Sequence, residues 1–282
     1  MSKPVVITVD STADLSAELL ARYDIKTVPL TIILGDDSYA DGVDFTPDMI
    51  YERYRSDGVL PKTAAPGVQA LLDFFSGFTS RGYEVVHLDI SAELSNIFNS
   101  ARLAAAELEG VYVVDSRLLS TGIALLALEA AECRDAGMCA GDIAARLERL
   151  REKVSVSFVL DNLEFMWKGG RCSGFTALGA NALKLRPALE MKDGKLGVYK
   201  KYRGCMPKVY EQYVSDRLAG KKIRPGHVFV TESGGIDPAL TESIISSVKR
   251  AAGRAEVHHT KAGATVSSHC GPGTLGVHFI EE

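Results

Sequence analysis

The 282-residue sequence predicts an α/β protein of two domains: an N-terminal parallel-sheet α/β domain and a C-terminal α+β domain with a largely antiparallel sheet. Three observations carry this. Apolar runs alternate with helix-period segments as far as residue 150, the pattern of repeated βα units. After Lys153 the alternation gives way to strand pairs joined by turn residues. The charge also changes sign there: residues 1–150 carry 12 Lys and Arg against 23 Asp and Glu, a net of −11, and residues 151–282 carry 20 against 13, a net of +7. The domains are therefore expected at 1–150 and 151–282. An acidic half joined to a basic half suggests two domains facing each other, or a basic surface for an anionic partner.

Val5-Val6-Ile7-Thr8-Val9 reads as a strand covered on both faces. It ends at Asp10-Ser11-Thr12-Ala13-Asp14, where a cap leads into the helix of Leu15, Leu19 and Leu20. Thr27 to Leu34 reads as a second strand, followed by turns at Gly35-Asp36-Asp37 and Asp41-Gly42-Val43-Asp44. Thr46-Pro47 opens a helix through Met49, Ile50 and Tyr54, with Pro at its first position. Lys62 to Gly67 is expected as a loop before the helix of Leu71, Leu72 and Phe75. Val85–Ile90 is a buried strand that runs through a Ser-rich turn into a helix marked by Leu94, Ile97, Phe98, Ala101 and Ala105. Either Ser91 or Ser95 could cap that helix. Such a strand-to-helix turn gathers unpaired N–H groups at one spot and suits a small anion, although a serine that only caps its helix is the ordinary explanation. Val111–Ser116 repeats the first strand's ending, and helices follow over Leu118–Asp135 and Ala140–Lys153. Ser11, Ser91, Ser95 and Ser116 fall at C-terminal strand ends, where open α/β sheets bind ligands.

In the second half, Val154–Leu160 is a strand and Leu163–Trp167 a short helix ended by Gly169-Gly170. Leu185–Met191 and Leu196–Tyr202 form a hairpin around Asp193-Gly194. A helix over Val209–Leu218, a strand over His227–Thr231, a helix over Ala239–Arg250 and closing strands over 254–260 and 275–280 complete the chain.

A hydrophobic content of 46% and a charged content of 24% are those of a globular protein. No apolar run approaches the roughly 18 residues of a membrane span, and Met1-Ser2-Lys3-Pro4 enters a strand without a signal-peptide core. A cytoplasmic location is expected. The five cysteines, Cys133, Cys139, Cys172, Cys205 and Cys270, are scattered and contain no C-x-x-C pair, so reduced thiols are expected rather than a disulfide framework or a zinc site.

Gly271-Pro272-Gly273-Thr274-Leu275-Gly276 matches G-x-G-x-x-G, but the six residues after it read as a strand and leave no room for a helix or a distant acidic residue. It is not a dinucleotide fingerprint. His269, beside that turn, could donate to an anion. Cys270 next to it invites a Cys–His nucleophile, but adjacent residues of an extended segment point opposite ways. His258-His259 falls in a strand, one side chain in and one out, and reads as structural rather than metal-binding. Lys168-Gly169-Gly170-Arg171, Lys184, Arg186, Lys200, Lys201 and Arg203 form a basic zone. Only Tyr199 and Tyr202 could stack bases there, and the arginines suit a phosphorylated ligand or partner better than nucleic acid.

Together these segments resemble the DegV family, whose members include the fatty-acid-binding subunits of bacterial fatty acid kinase. The likeness rests on Asp10-Ser11-Thr12-Ala13-Asp14-Leu15, Val28-Pro29-Leu30, Thr63 before Pro66, and Ile90-Ser91 through Leu94-Ser95 to Asn99-Ser100-Ala101. Val114-Asp115-Ser116, Leu160-Asp161-Asn162-Leu163-Glu164-Phe165, Lys168–Arg171 and His269-x-Gly-Pro-Gly-Thr-Leu-Gly complete it, so it covers nearly the whole chain. The resemblance implies one long-chain fatty acid, such as palmitate or oleate, buried between the two domains. Its carboxyl group would be held at Thr63, Ser95, Asn96 and His269, with no cofactor, no metal and no catalytic residue. It also implies an ATP-using kinase catalytic subunit as partner, with Arg171 and Arg203 in docking and phosphoryl handling. The role would lie in fatty acid metabolism and phospholipid synthesis.

Two departures stand out. The family loop usually reads Thr-Ser-Gln-Pro where this chain has Thr63-Ala64-Ala65-Pro66, and its Ser-Gly-Thr is Ser95-Asn96-Ile97 here. Thr63 and Ser95 survive. The alternatives are a hydrolase of acyl substrates using Ser95 or Cys270, for which no base-and-orienter relay is visible, and a nucleic-acid-binding regulator, against which the net acidity weighs.

Overall fold

The computed structural model describes residues 3–171 and 185–282; Cys172 and Lys184 lie outside the described residues. β1 (Val5–Asp10) is buried from Val6 onward, as a parallel strand between two covered faces requires. Asp10 ends it by turning its carboxylate onto the chain ahead. Oδ1 accepts the Thr12 N–H at 2.7 Å and Oδ2 accepts the Ile90 N–H at 2.7 Å. A single 3-10 turn, Ser11–Ala13, intervenes before α1 (Ala17–Arg22), so the helix starts later than expected, behind a Ser16 hydroxyl that accepts the Leu19 N–H. β2 (Ile25–Val28) returns parallel to β1.

The strand expected over Thr27–Leu34 is two strands in two sheets. Pro29 has no N–H for a ladder and a fixed φ, so pairing stops at Val28 and resumes at Thr31. β3 (Thr31–Leu34), β4 (Asp37–Ala40) and, beyond α2 (Pro47–Asp57), β5 (Lys62–Ala64) form a small antiparallel sheet of order β4-β3-β5. The expected 62–67 loop therefore contains a strand, and Thr63 is paired opposite Ile32.

α3 (Val68–Thr79), β6 (Glu84–Asp89), α4 (Ile97–Ala105) and β7 (Val111–Asp115) complete a four-stranded parallel sheet of order β2-β1-β6-β7. The chain leaves β1 toward one edge and β6 toward the other. The topological switch point, where such sheets open a crevice, thus lies at the C-terminal ends of β1 and β6. The Asp10–Ile90 bond joins those two ends.

α5 (Thr121–Asp135) is buried almost all round through Ala131, the mark of a helix with no solvent face. It packs on β1 and β6 from one side and on strands of the second sheet from the other. Gly122 permits this, since a Cβ there would come within 2.3 Å of Val156 Cγ2. α6 (Ala140–Leu150) follows and ends in a 3-10 turn.

The second sheet draws on β8 (Val154–Val159), β9 (Arg186–Lys192), β10 (Lys195–Tyr202), β11 (Ile223–Glu232), β12 (Glu256–Lys261) and β13 (Leu275–Glu281), in the order β10-β9-β8-β13-β11-β12. All pairs are antiparallel except β11–β12, which runs parallel. That pair needs a crossover, supplied by α9 (Pro238–Ala252), while α7 (Glu164–Lys168) and α8 (Met206–Leu218) fill the earlier connections. The β9–β10 turn places Asp193 at φ 51° and Gly194 at φ 80°, the left-handed pair that a two-residue hairpin demands. The segment expected as extended around His269 is instead a helix, α10 (Ala264–Cys270), bounded by Gly263 and Gly271. Its Thr265 and Val266 lower helix propensity, and tertiary packing overrides that.

Asp10→Asn is expected to lower stability by about 1–3 kcal/mol, because an amide cannot accept from both the Thr12 and Ile90 N–H groups. Urea denaturation at neutral pH measures this, and an unchanged midpoint would contradict it.

Candidate functional site

A cavity of about 260 Å³ opens at the switch point and is walled by both halves of the chain. From the first half come Thr12 and Ile90, just beyond the ends of β1 and β6, with Leu30, Thr63, Ala65, Leu94, Ser95, Asn96 and Leu119. The second half contributes Phe158 of β8, Met166 of α7, Arg171, Leu196 of β10, and Thr265, Val266, His269 and Cys270 of α10. Aliphatic and aromatic side chains dominate this wall, and a few polar groups interrupt them.

Two of the expected site residues meet directly. Thr63 Oγ1 lies 3.0 Å from His269 Nε2, across 206 residues of sequence. β5 supplies the first and α10 the second. Ser95 stands one residue before Asn96, the residue that precedes α4, and its Oγ accepts the Ile97 N–H at 3.3 Å. The first N–H groups of a helix have no acceptor within it, and the Asn96 side chain supplies none here; its Oδ1 instead accepts from Asn99 Nδ2 at 3.0 Å. Ser91 has a different task. Its hydroxyl donates to Gly194 O at 2.7 Å and accepts from Glu93 N–H, tying the β9–β10 turn to the first half.

His269 is held neutral. Burial comes first and the Arg171 charge second, and together they push its pKa down to about 4. Its Nδ1 is buried without a hydrogen-bond partner among the described residues. That nitrogen faces Gly169, where a Cβ would stand only 2.2 Å from it, so position 169 must be glycine for the ring to sit here. Arg171, expected at a docking surface, is part of the cavity wall and donates to Gly169 O at 2.8 Å. Arg203 is exposed beyond the end of β10 and away from the cavity.

Because α10 is helical, His269 and Cys270 stand about 100° apart rather than opposed, and both reach the cavity. The Cys270 thiol is buried, which pushes its pKa up to about 12, with the Asp14 charge adding to the effect. It stays protonated at neutral pH and is a poor nucleophile. The described cysteines, Cys133, Cys139, Cys205 and Cys270, are free.

Several wall residues escaped the sequence reading. Ser11 falls at the strand end, but its hydroxyl is spent on Asp41 at 2.8 Å and on the Leu30 N–H at 3.0 Å, and it is Thr12 that faces the cavity. The Asp-Ser-Thr motif carried the location but not the choice of residue. Phe158, Met166 and Leu196 come from separate elements with no shared local signal.

A family model described as "Uncharacterised protein, DegV family" matches residues 4–282. A Thermotoga maritima protein described as a fatty acid-binding protein is 31% identical over 282 residues, 96% of each chain. A solved structure from Thermus thermophilus, described as fatty acid binding of a DegV family protein, superposes with a TM-score of 0.88 at 30% identity, covering all of both chains. One from Eubacterium ventriosum, described as a stearic acid-binding protein, superposes with a TM-score of 0.83 at 26% identity over 98% of this chain and 97% of its own.

The buried neutral His269 has a consequence for acid stability. Its folded pKa of about 4 lies below the ordinary 6.5, so between those values the unfolded chain binds the proton more readily. Stability contributed by this group is present above pH 6.5 and is lost as the pH falls toward 4. His269→Gln is expected to shrink that loss; His278, pushed down to about 3 by burial first and the Arg217 charge second, keeps part of it. Urea unfolding at stepped pH measures the slope, and a variant slope equal to the parent's would contradict the assignment.

Proposed function

The chain belongs to the DegV family, and on that premise we propose that it is a fatty-acid-binding protein that buries one long-chain acyl group in the cavity between its halves. The observation that carries this is the character of the cavity wall: an apolar enclosure interrupted by the Thr63–His269 pair, Ser95, Asn96 and Arg171. Burying about fifteen methylenes is worth on the order of 12 kcal/mol at ~0.8 kcal/mol each. A carboxylate costs several kcal/mol to desolvate unless donors meet it. Two hydroxyls, the N-terminal end of α4 and a guanidinium are at hand to meet it. Palmitate, oleate and their relatives in length are the ligand class.

The same groups argue against turnover. Thr63 and His269 stand at the distance of a nucleophile and its base, but a base with a pKa of about 4 is weak at neutral pH. A triad also needs an orienting acceptor on the second ring nitrogen, and Nδ1 faces Gly169 instead. The chain therefore acts as a carrier. We extend the reading to presentation of the carboxyl group to an ATP-dependent fatty acid kinase partner in the cytoplasm, with exposed Arg203 on the partner side and Arg171 at the carboxyl group. The family resemblance supports this step.

Titration of delipidated protein with palmitate tests the site. Ser95→Ala and Thr63→Val should each weaken binding about 10–100-fold, the worth of a hydrogen bond to a charged group, with little change in melting temperature. Gly169→Ala should weaken it as well, by displacing the His269 ring. Unchanged affinity in all three would move the carboxyl group elsewhere. In a reconstituted kinase reaction, Arg203→Ala should slow acyl-phosphate formation while leaving palmitate affinity intact, and equal rates would remove Arg203 from the partner contact.

A further inference from the structure

The β11–β12 end of the six-stranded sheet carries side chains that fatty acid binding does not use. In the parallel β11–β12 pair His227 lies opposite Glu256 and Phe229 opposite His258. His227, Glu256 and His258 therefore project from one face. That face meets the N-terminal half, where His227 Nε2 lies 3.1 Å from Glu132 Oε1 of α5 and 3.3 Å from the Tyr23 hydroxyl. On the other side of the ring, His227 Nδ1 faces His258 Nε2 at 2.9 Å. One donor atom from each of His227, His258 and Glu256 lies within 4.8 Å of the others.

We infer that His227 Nδ1, His258 Nε2 and a Glu256 carboxylate oxygen form a binding site for a divalent transition metal, zinc before others, with water as the fourth ligand. Neighbouring donors of a tetrahedral zinc site, with bonds of about 2.0–2.1 Å, stand about 3.3 Å apart. The imidazole pair is already near that spacing, and Glu256 Oε2, 4.0 Å from His227 Nδ1, closes the set by a small side-chain shift. Two imidazoles and a carboxylate are the donor set that borderline-soft ions favour over magnesium or calcium.

The proton arrangement also suits a metal. A carboxylate can only accept, so against Glu132 the His227 Nε2 carries the proton and Nδ1 presents its lone pair. This carboxylate–imidazole pairing is the one that orients metal-ligating histidines. In the metal-free protein His258 Nε2–H donates to that lone pair. Metal binding requires this proton to pass to His258 Nδ1, which lies 3.9 Å from Glu256 Oε1, so His258 stays neutral throughout. Arg22, paired with Glu256 at 3.0 Å, must release the carboxylate. The two imidazoles are 11% and 10% exposed and Glu256 is 47% exposed, so an ion has an open approach on the carboxylate side. His259 points to the opposite face, 3.5 Å from Glu232, and serves as a control.

Zinc titration calorimetry on chelator-treated full-length protein tests the site, with folding of each variant checked by circular dichroism. One zinc per chain is expected. His227→Gln and His258→Gln should each weaken binding at least tenfold, and Glu132→Gln about tenfold through the orienting contact. His259→Gln should change nothing, and Arg22→Gln should tighten binding by freeing Glu256. Cobalt should give the intense visible bands of a tetrahedral ion. Absence of saturable zinc binding, binding unaltered by His258→Gln, or a weak octahedral cobalt spectrum would each overturn the proposal.

Discussion

Two carboxylates of the acidic half hold the start of α10, and the cavity depends on them. Asp14 Oδ1 accepts the Gly263 N–H at 2.7 Å, and Asp41 Oδ1 accepts the Ala264 N–H at 2.9 Å. The first N–H groups of a helix must find acceptors outside it, and here they find them more than 220 residues back in the chain. Asp14 is further bound by the Ser120 hydroxyl and Asp41 by that of Ser11. Burial drives the Asp14 carboxyl well above its usual range in spite of the donors around it. An acid is retained at a site that disfavours its charge because helix and loop converge on it. Through this joint α10 of the second half is seated against β5 and the end of β1, so His269 meets Thr63.

Across the same boundary Glu129 of α5, which also accepts from Arg146 within its own half, accepts from Arg224 of β11, and Arg22 pairs with Glu256. The Glu129–Arg224 pair thus spends a little of the opposite net charges of the two halves on each other. Among the described residues, the cavity wall is apolar surface interrupted by several hydroxyls, the Asn96 amide, a neutral imidazole and the Arg171 guanidinium. Such a wall suits a long apolar molecule with an anionic head, and among the described residues Cys270 holds its proton and His269 is a weak base.

The parallel sheet was legible because strands buried on both faces carry an uninterrupted apolar run, as Val5–Val9 and Val85–Ile90 do. The Asp193-Gly194 hairpin was legible because few residue pairs accept two consecutive left-handed conformations. Three features were not. Pro29 sits inside a run that reads as one strand, and only the partner strands reveal that the chain changes sheets there. α10 is seven residues with two β-branched side chains, held by acceptors from Asp14 and Asp41 that no local window contains. The parallel register of β11 and β12, which gathers His227, Glu256 and His258, likewise depends on pairing between distant segments. The polar site residues Thr63, Ser95, Asn96 and His269 were named from family motifs, whereas Thr12, Phe158 and Leu196 reach the cavity only through the packing of separate elements.

On the proposed function, the cavity holds a long-chain fatty acid. Mass spectrometry of an organic extract from the denatured, purified protein tests it most directly. About one fatty acid per chain is expected, and its mass would give the acyl length and unsaturation. An extract without fatty acid, from protein that also fails to take up added palmitate or oleate, would contradict it.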